Sequence, residues 1–293
     1  MVDQTREEWL AWRRLGIGGS DSPIIMGLNS YRGQLSLYVD KLDRGLDPSE
    51  PNEAAYWGTT LEDLVALEFA KRTGFDVRRP YIQNLRHPVH TFMQGTPDRF
   101  VYRTANDPDE VPIGILEVKT TTLRKEWDWD PDPPATAVCQ LRHYMAVTGI
   151  SLGWLACLIG GQRYIHHEIQ RDPAFEADLI DRERQFWWHV QNDVPPEPDG
   201  RDSTTAIINQ RFTEVAPLTT TELSEQPEYV EAVDRVLQLT ARIKRDKEEL
   251  DRNKNVLKLA LGETEVGTLE GRPVISWKGT DRETIDTKAL KRD

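Results

Sequence analysis

The stretch FMQGTPDRFVYRTANDPDEVPIGILEVKTTT, residues 92–122, combines two strand patterns with an unusual set of charged residues. Residues 98–103 and 113–119 each favour a β-strand, and the acidic, proline-containing segment between them favours a turn, so the stretch predicts a hairpin. Side chains at i and i+2 of a strand point to the same face, so Glu117 and Lys119 project together and Val118 points into the core. Asp98 begins the partner strand and is expected close to Glu117.

This arrangement indicates a metal site on a β-hairpin. Two neighbouring carboxylates repel each other unless a cation lies between them, and hard oxygen ligands suit Mg²⁺ or Mn²⁺. Lys119 could hold or help activate a water molecule, and the group would serve metal-assisted attack on a phosphodiester. The alternative is a surface salt bridge between Glu117 and Lys119. The flanking GTPD sequence and a helix that carries Glu62 favour the metal site.

The composition fits a water-soluble protein of 293 residues with one large domain, or one domain and an appendage. The net charge of −12 counts against a nonspecific nucleic-acid coat protein but is compatible with a local basic channel. Two cysteines, Cys139 and Cys157, are too few for a four-thiolate cluster and indicate a reducing cytoplasm. The polar start is unlike a signal peptide, and no apolar run is long enough to span a bilayer. We therefore expect a cytoplasmic protein without a membrane partner.

The order of the predicted elements indicates an α/β fold with a central mixed sheet flanked by helices and an α-rich C-terminal extension. Prolines at 195, 196 and 198 predict a boundary between a domain at 1–198 and an extension at 199–293. Helices are predicted at 5–14, 34–44, 57–73, 135–148 and 173–191, and strands at 75–83, 91–94, 98–103, 113–119, 151–159 and 163–169.

The extension contains a long polar helix pattern at 222–261, predicted to be interrupted, and a hairpin at 266–278. Val236, Ile243, Leu250 and Leu257 recur every seven residues, without an equally apolar second row. Two interpretations remain open: the helix packs against its own domain, or it is an interaction module for which the rest of the chain is cargo.

Five motifs occur in series: RRLGIGGSD, WGTTLEDLVALEF, GTPDRF, GILEVKT and CQLRHYMAVTG. Together they resemble the PD-(D/E)xK nucleases, and within them the YqaJ-like viral recombinases, which are related to phage lambda exonuclease. The resemblance covers residues 8 to 190. The PD-(D/E)xK motif corresponds to Pro97-Asp98 and Glu117-Val118-Lys119. The resemblance implies a restriction-endonuclease-like core for this chain.

The resemblance also implies roles for individual residues. Asp98, Glu117, the Val118 carbonyl and Glu62 would bind the metal, expected as two Mg²⁺ or Mn²⁺ ions. Lys119 resembles the catalytic lysine. Three further residues complete the implied site: Gln140 in the active centre, and Arg14 and Ser20 on the terminal 5′-phosphate of the DNA. The family often has a second glutamine two residues after the first, where this chain has Arg142, so that role does not carry over. The glycine-rich turn at 16–21 agrees with an anion site, because such turns and helix N-termini expose N–H groups; Asp21 is expected to cap the next helix.

The implied function is a metal-dependent 5′–3′ exonuclease that acts on double-stranded DNA ends and leaves 3′ single-stranded overhangs for phage-type homologous recombination. The resemblance further implies a ring-shaped trimer and a single-strand annealing protein as partner. Two other functions remain open: a DNA endonuclease of the same superfamily, restriction or Cas4-like, and a non-catalytic DNA-end-binding scaffold. Trp127 and Trp129 either stack on an unpaired base or pack under their loop.

Overall fold

The computed structural model describes residues 6–44, 53–81, 84–103, 111–214 and 216–276. Its α-helices are α1 (Arg6–Arg14), α2 (Ser22–Ile25), α3 (Gln34–Lys41), α4 (Glu53–Thr73), α5 (Ala135–Thr148), α6 (Pro173–Asn192), α7 (Asp202–Arg211) and α8 (Pro227–Leu261), with a 3₁₀ helix at Leu123–Asp128. The strands are β1 (Asp76–Arg78), β2 (Leu85–Arg86), β3 (Gln94–Gly95), β4 (Arg99–Tyr102), β5 (Gly114–Thr121), β6 (Leu152–Ile159), β7 (Arg163–Gln170), β8 (Val266–Leu269) and β9 (Arg272–Ser276).

A five-stranded mixed sheet with the order β1-β4-β5-β6-β7 forms the centre of the fold. β4 and β5 are antiparallel, with Arg99 opposite Leu116 and Val101 opposite Gly114, which confirms the predicted strand pair. The turn predicted between them lies outside the described residues. β5 and β6 are parallel, and the chain passes between them through α5. Parallel neighbours need such a crossover, because a tight turn can join only antiparallel strands. The predicted mixed α/β sheet is confirmed.

The two faces of the sheet bury different residues of the same strand. Ile115 of β5 packs in a cluster with Leu141 and Met145 of α5, whereas its neighbours Leu116 and Val118 pack in a cluster with residues of α4. Because side chains alternate along a strand, Glu117 and Lys119 lie on the same face as Ile115, beside α5. The alternation therefore places the two charged residues where an α5 side chain can reach them.

The chain forms two compact units, Met1–Val215 and Ala216–Asp293. The first unit extends beyond residue 198, where the prolines predict the boundary, because the segment after them returns to the core of that unit. Arg201 donates hydrogen bonds to the carbonyls of Gly27 and Asn29, and the Gly33 N–H donates to Ser203 at 3.2 Å. α7 was not predicted, since its sequence has only a weak apolar pattern.

Three further observations bear on the sequence predictions. α8 is continuous over residues 227–261, so the predicted interruption is wrong. Asp21 stands at the N-cap of α2 without a side-chain capping bond, because its carboxylate binds cations instead. Among the helices of the described ranges, each is too short or too polar to cross a bilayer. The end of the predicted hairpin at 266–278 lies outside the described residues.

Candidate active site

Asp98 is fixed to the adjacent strand by a backbone contact. The Val118 N–H donates to Asp98 Oδ2 at 2.7 Å, which ties the residue before β4 to the middle of β5. Pro97 precedes it and is buried. The two parts of the PD-(D/E)xK pattern are therefore joined directly by a hydrogen bond.

Glu117, Lys119 and Gln140 form one hydrogen-bonded group on the α5 side of the sheet. Lys119 Nζ donates to Glu117 Oε1 at 2.7 Å and to Gln140 Oε1 at 2.9 Å. Gln140 Nε2 donates to Glu117 Oε1 at 2.5 Å and contacts the Tyr144 hydroxyl at 3.3 Å. Tyr144 lies one helical turn after Gln140 on α5. The lysine is thus held between a carboxylate oxygen and an amide oxygen, and both accept hydrogen bonds from its ammonium group.

The carboxyl groups of this site resist ionisation. Burial raises the pKa of Asp98 well above its usual range, and the nearby carboxylates of Glu117 and Glu62 raise it further. Burial also raises the pKa of Glu117, although Lys119 acts in the opposite direction. Burial alone lowers the pKa of Lys119, but the ion pair with Glu117 outweighs it and leaves that pKa raised. A cation between the carboxylates would stabilise their charged forms.

Glu62 lies near this group but is bound to an arginine. Arg99 Nη1 donates to Glu62 Oε1 and to the Asp98 carbonyl, both at 2.5 Å. Arg99 Nη2 forms an ion pair with Asp63. Arg99 is buried, with 5% of its side chain exposed. Arg99 was not among the predicted site residues, although its position directly after Asp98 was a signal. The Glu62 carboxylate raises the pKa of both Asp98 and Glu117 from this place.

A small cavity of about 210 Å³ opens beside these carboxylates. Its lining includes Glu62, Asp98 and Arg99 together with Trp9 of α1 and Thr96. Acidic and basic groups therefore face the same open space.

The donor set fits a hard divalent cation. Glu117 Oε2 is buried without a hydrogen-bond partner, which is a costly state for a carboxylate oxygen unless a cation binds it. Within the described ranges, no three Asp, Glu, His or Cys side chains are already grouped as metal ligands. Glu62 would have to leave Arg99 to become a third ligand. Asp98, Glu117 and Glu62 are the residues that could hold Mg²⁺ or Mn²⁺ here.

The glycine-rich turn carries a second cluster of charges, in which Arg13 rather than Arg14 contacts the turn. Arg13 Nη2 donates to Ser20 Oγ and to Asp21 Oδ1, both at 2.8 Å. Arg14 instead pairs with Asp43 at 2.5 Å. The structure therefore brings Ser20 together with Arg13 and not with Arg14. Adjacent residues of a helix point about 100° apart, so a doublet of arginines cannot both face one turn.

A buried lysine holds this turn in place. Lys41 Nζ of α3 donates to Asp21 Oδ2 at 2.6 Å and to the Arg13 carbonyl at 2.8 Å. The side chains of Lys41 and Asp21 are 4% and 2% exposed. Burial opposes ionisation of Asp21, but Lys41 and Arg13 outweigh it and hold the pKa of Asp21 well below its usual range.

Replacing Lys41 with methionine is expected to lower the free energy of unfolding by about 3–5 kcal/mol, because a buried carboxylate loses a partner. Since the pKa of Asp21 is lowered in the folded state, its stabilising contribution is complete above the unfolded pKa of about 4 and is lost as the pH falls below it. Urea unfolding at pH 7 and pH 3 measures this, with Lys71→Met on the exposed face of α4 as control. A difference between parent and Lys41→Met that does not shrink at pH 3 would contradict the assignment.

A buried polar network supports α5 from behind. The Ser22 hydroxyl, His143 Nδ1 and Glu183 Oε1 lie within 2.6–2.8 Å of one another, and His143 Nε2 contacts the Gln94 carbonyl at 2.8 Å. All three side chains are fully buried. Despite its catalytic-triad composition, the network cannot meet a substrate. It fixes α2 and α6 against the helix that carries Gln140.

Three other candidates are placed away from this group. Arg142 packs over the Phe175 ring and pairs with Asp172 at 3.4 Å. Trp129 is buried in the core, so packing is its role, whereas Trp127 is 86% exposed on the segment after β5. Packing is thus confirmed for Trp129, whereas stacking of Trp127 on an unpaired base stays a prediction.

A mixed sheet with an aspartate directly before one strand, and a glutamate and a lysine on the adjacent strand, is characteristic of the class of PD-(D/E)xK folds. The chain belongs to the YqaJ-like viral recombinase family, whose domain matches residues 8–151. It is 33% identical over 299 residues to the uncharacterized protein YqaJ of Bacillus subtilis (strain 168), covering 99% of this chain and 88% of that protein. These similarities confirm the family resemblance.

The solved structures that resemble the chain agree on the fold. An alkaline exonuclease from Laribacter hongkongensis, LHK-Exo, superimposes with a TM-score of 0.52 at 19% identity, covering 72% of this chain and 100% of that one. The same exonuclease in complex with dAMP gives a TM-score of 0.51, with the same identity and coverage. The central fold of this chain is therefore that of these exonucleases.

Proposed function

We propose that this chain is a metal-dependent DNA exonuclease that degrades one strand of a double-stranded end in the 5′–3′ direction. The product is a 3′ single-stranded overhang, the substrate for phage-type recombination. The observation that carries the proposal is the group of Glu117, Lys119 and Gln140, joined by hydrogen bonds of 2.5–2.9 Å between β5 and α5. Asp98 is held beside it by the Val118 N–H, which donates at 2.7 Å. Membership of a viral recombinase family and a fold shared with alkaline exonucleases support the reaction class.

The chain's own residues have distinct tasks in this reaction. A bound Mg²⁺ or Mn²⁺ would polarise the scissile phosphate and lower the pKa of a bound water molecule. Asp98 and Glu117, helped by Glu62, would bind the ion. Lys119 Nζ, oriented by Glu117 and Gln140, would donate hydrogen bonds to the attacking water and to the charge that develops on the phosphate.

Recognition of the 5′-phosphate belongs to the glycine-rich turn in this proposal. The resemblance assigns the task to Arg14 and Ser20, and the geometry favours Arg13 as the arginine. Arg13 and Lys41 carry two positive charges against the single negative charge of Asp21, so the turn keeps a net positive charge beside the exposed Ser20. An anion is attracted to such a place.

Arg13→Ala is expected to reduce the preference for 5′-phosphorylated over 5′-hydroxyl ends by about tenfold or more, which corresponds to one charge-assisted hydrogen bond. Arg14→Ala, its neighbour in sequence, is the matched control and should keep the preference. Initial rates on the two kinds of end measure the effect. If Arg14→Ala loses the preference and Arg13→Ala keeps it, the assignment to Arg13 is wrong.

End-labelled linear duplex, with and without 5′-phosphate, tests the proposed function in Mg²⁺ and in EDTA. We expect release of label from the 5′ end, in Mg²⁺ only, and a remaining 3′ strand. Covalently closed circular DNA in the same buffer should stay intact, and its cleavage would indicate the endonuclease alternative. Linear duplex that is bound but not degraded would favour the non-catalytic scaffold.

Two assembly properties stay predictions of the family resemblance. One is a ring of three copies that encloses the duplex, and the other is a single-strand annealing protein that takes up the 3′ strand. Mass measurement of the pure protein and co-purification with an annealing protein would check them.

A further inference from the structure

α8 is a helix of 35 residues without a single buried residue. It lies entirely within the described part of the chain, and the described residues of its own unit, 216–276, leave its apolar row uncovered. The exposed fractions of Val236, Ile243, Leu250 and Leu257 are 62%, 65%, 52% and 46%. Helices in water gain most of their stability from packing an apolar face. An uncovered row of this length therefore calls for a partner.

The spacing of the row defines what kind of partner fits. Apolar residues every seven positions form one row of a two-helix seam, and the second row lies three residues after the first. In α8 the second row consists of Ala232, Leu239, Asp246, Asn253 and Ala260. The seam is apolar at both ends, and its second row is polar near the middle. Parallel and antiparallel pairs of this helix would therefore bring different side chains together.

Charge opposes a parallel pair of α8 helices. In a parallel pair, identical positions of the second row face each other, so Asp246 would meet the partner's Asp246. Arg242 would meet the partner's Lys247, which adds a second repulsion between like charges on the flank of the seam. Both contacts would occur near the centre of the helix, where the two helices cannot separate locally to relieve the repulsion.

An antiparallel pair removes both repulsions. When Leu239 lies opposite the partner's Leu250, the first row of one helix meets the second row of the other along the full length. Arg242 then faces the partner's Glu249, and the symmetry produces this contact twice. Within its own helix Arg242 also pairs with Asp246 at 3.5 Å. Each arginine would thus lie between two carboxylates.

The ends of the helix are complementary in the same antiparallel arrangement. An open apolar hollow of about 330 Å³ lies at the N-terminal end of α8. Its lining consists of Leu223, Tyr229, Ala232, Val233, Val236 and Leu237. In the register given above, Ala232 lies opposite the partner's Leu257, so that an apolar side chain enters the hollow. A helix of this length gives a contact of about 50 Å.

We propose that α8 is a self-association helix that pairs antiparallel with α8 of a second copy of this chain. Symmetric pairing of identical patches is the commonest route to homo-oligomers, and it needs a self-complementary surface. The exchange of Arg242 and Glu249 between the two helices provides that complementarity. The proposal does not depend on the nuclease function, because no catalytic residue takes part.

Mass measurement by light scattering tests the pairing in the full chain. We expect Ile243→Glu combined with Leu250→Glu to reduce the mass of the particle twofold relative to the parent. The matched control, Gln238→Glu combined with Ala241→Glu, adds the same charge on the opposite side of α8 and should keep the parent mass. Equal masses for the parent and the Ile243/Leu250 variant would overturn the proposal and point to a different protein as the occupant.

Disulfide trapping tests the direction of the pair without disturbing the charges. Leu239→Cys and Leu250→Cys are made separately, and each is oxidised alone and in an equal mixture. Antiparallel pairing predicts a linked dimer in the mixture only, because two copies of the same position lie about 16 Å apart, too far for a disulfide. The native Cys139 and Cys157 are buried and provide no background. A linked dimer in either variant alone, or none in the mixture, would contradict the proposal.

Discussion

Lys119→Ala is expected to lower the rate of DNA cleavage by about 10²–10⁴-fold, the contribution typical of a positioned catalytic group. The ammonium group of Lys119 is held at 2.7 Å from Glu117 and 2.9 Å from Gln140, and 31% of its side chain is exposed. It is therefore both oriented and open to a substrate. Duplex binding should be retained, since one positive charge among many phosphate contacts contributes little to affinity.

Single-turnover cleavage and DNA binding in Ca²⁺ separate the two effects. Lys71→Ala is the matched control, because Lys71 lies on α4 with 81% of its side chain exposed. A Lys119→Ala protein that cuts at the parent rate would remove Lys119 from the mechanism. One that no longer binds duplex would assign the lysine to binding instead.

Asp98→Asn is expected to have opposite effects on activity and on stability. Cleavage should fall to background, because a carboxylate of the proposed metal site is lost. In EDTA the free energy of unfolding should rise by about 0.5–2 kcal/mol, the usual gain when a functional strain is removed. The physical reason is that burial, and after it the nearby carboxylates, raise the pKa of Asp98, so that a charged carboxyl group is unfavourable at this place. Asparagine keeps the oxygen that accepts the Val118 N–H bond.

Thermal unfolding with EDTA and with Mg²⁺ measures both parts of this prediction. Mg²⁺ should raise the melting temperature of the parent and leave Asp98→Asn unchanged, since a ligand stabilises only the protein that binds it. Asp178→Asn, which changes a surface ion pair on α6, serves as the control. A Mg²⁺ shift of equal size in parent and Asp98→Asn would exclude Asp98 as a metal ligand.

The local parts of the fold were predictable because short-range rules determine them. Residue alternation places Glu117 and Lys119 on one face of β5, and the pairing with β4 follows from two strand patterns that are close in sequence. The predicted helix at 135–148 coincides with α5, since Pro134 precedes it and Gly149 ends it in a left-handed conformation. The five motifs were sufficient to identify the family.

The long-range contacts of the site were not predictable in this way. Which arginine of the doublet meets Ser20 depends on how α1 packs against the glycine-rich turn. The binding of Glu62 by Arg99 joins α4 to β4, and the Ser22–His143–Glu183 network joins three helices. Each of these contacts joins residues of different elements, and no regular spacing in the sequence predicts which of them will meet.

The sequence by itself determined the strand pair, the charged residues of the candidate site, and the family, because each depends on spacings of a few residues. Only the tertiary structure decided that Arg13 and not Arg14 faces Ser20, that the first unit continues beyond residue 198, and that the second unit leaves the apolar row of α8 uncovered. These outcomes depend on how distant elements pack against each other, and packing is a property of the whole fold rather than of any local pattern.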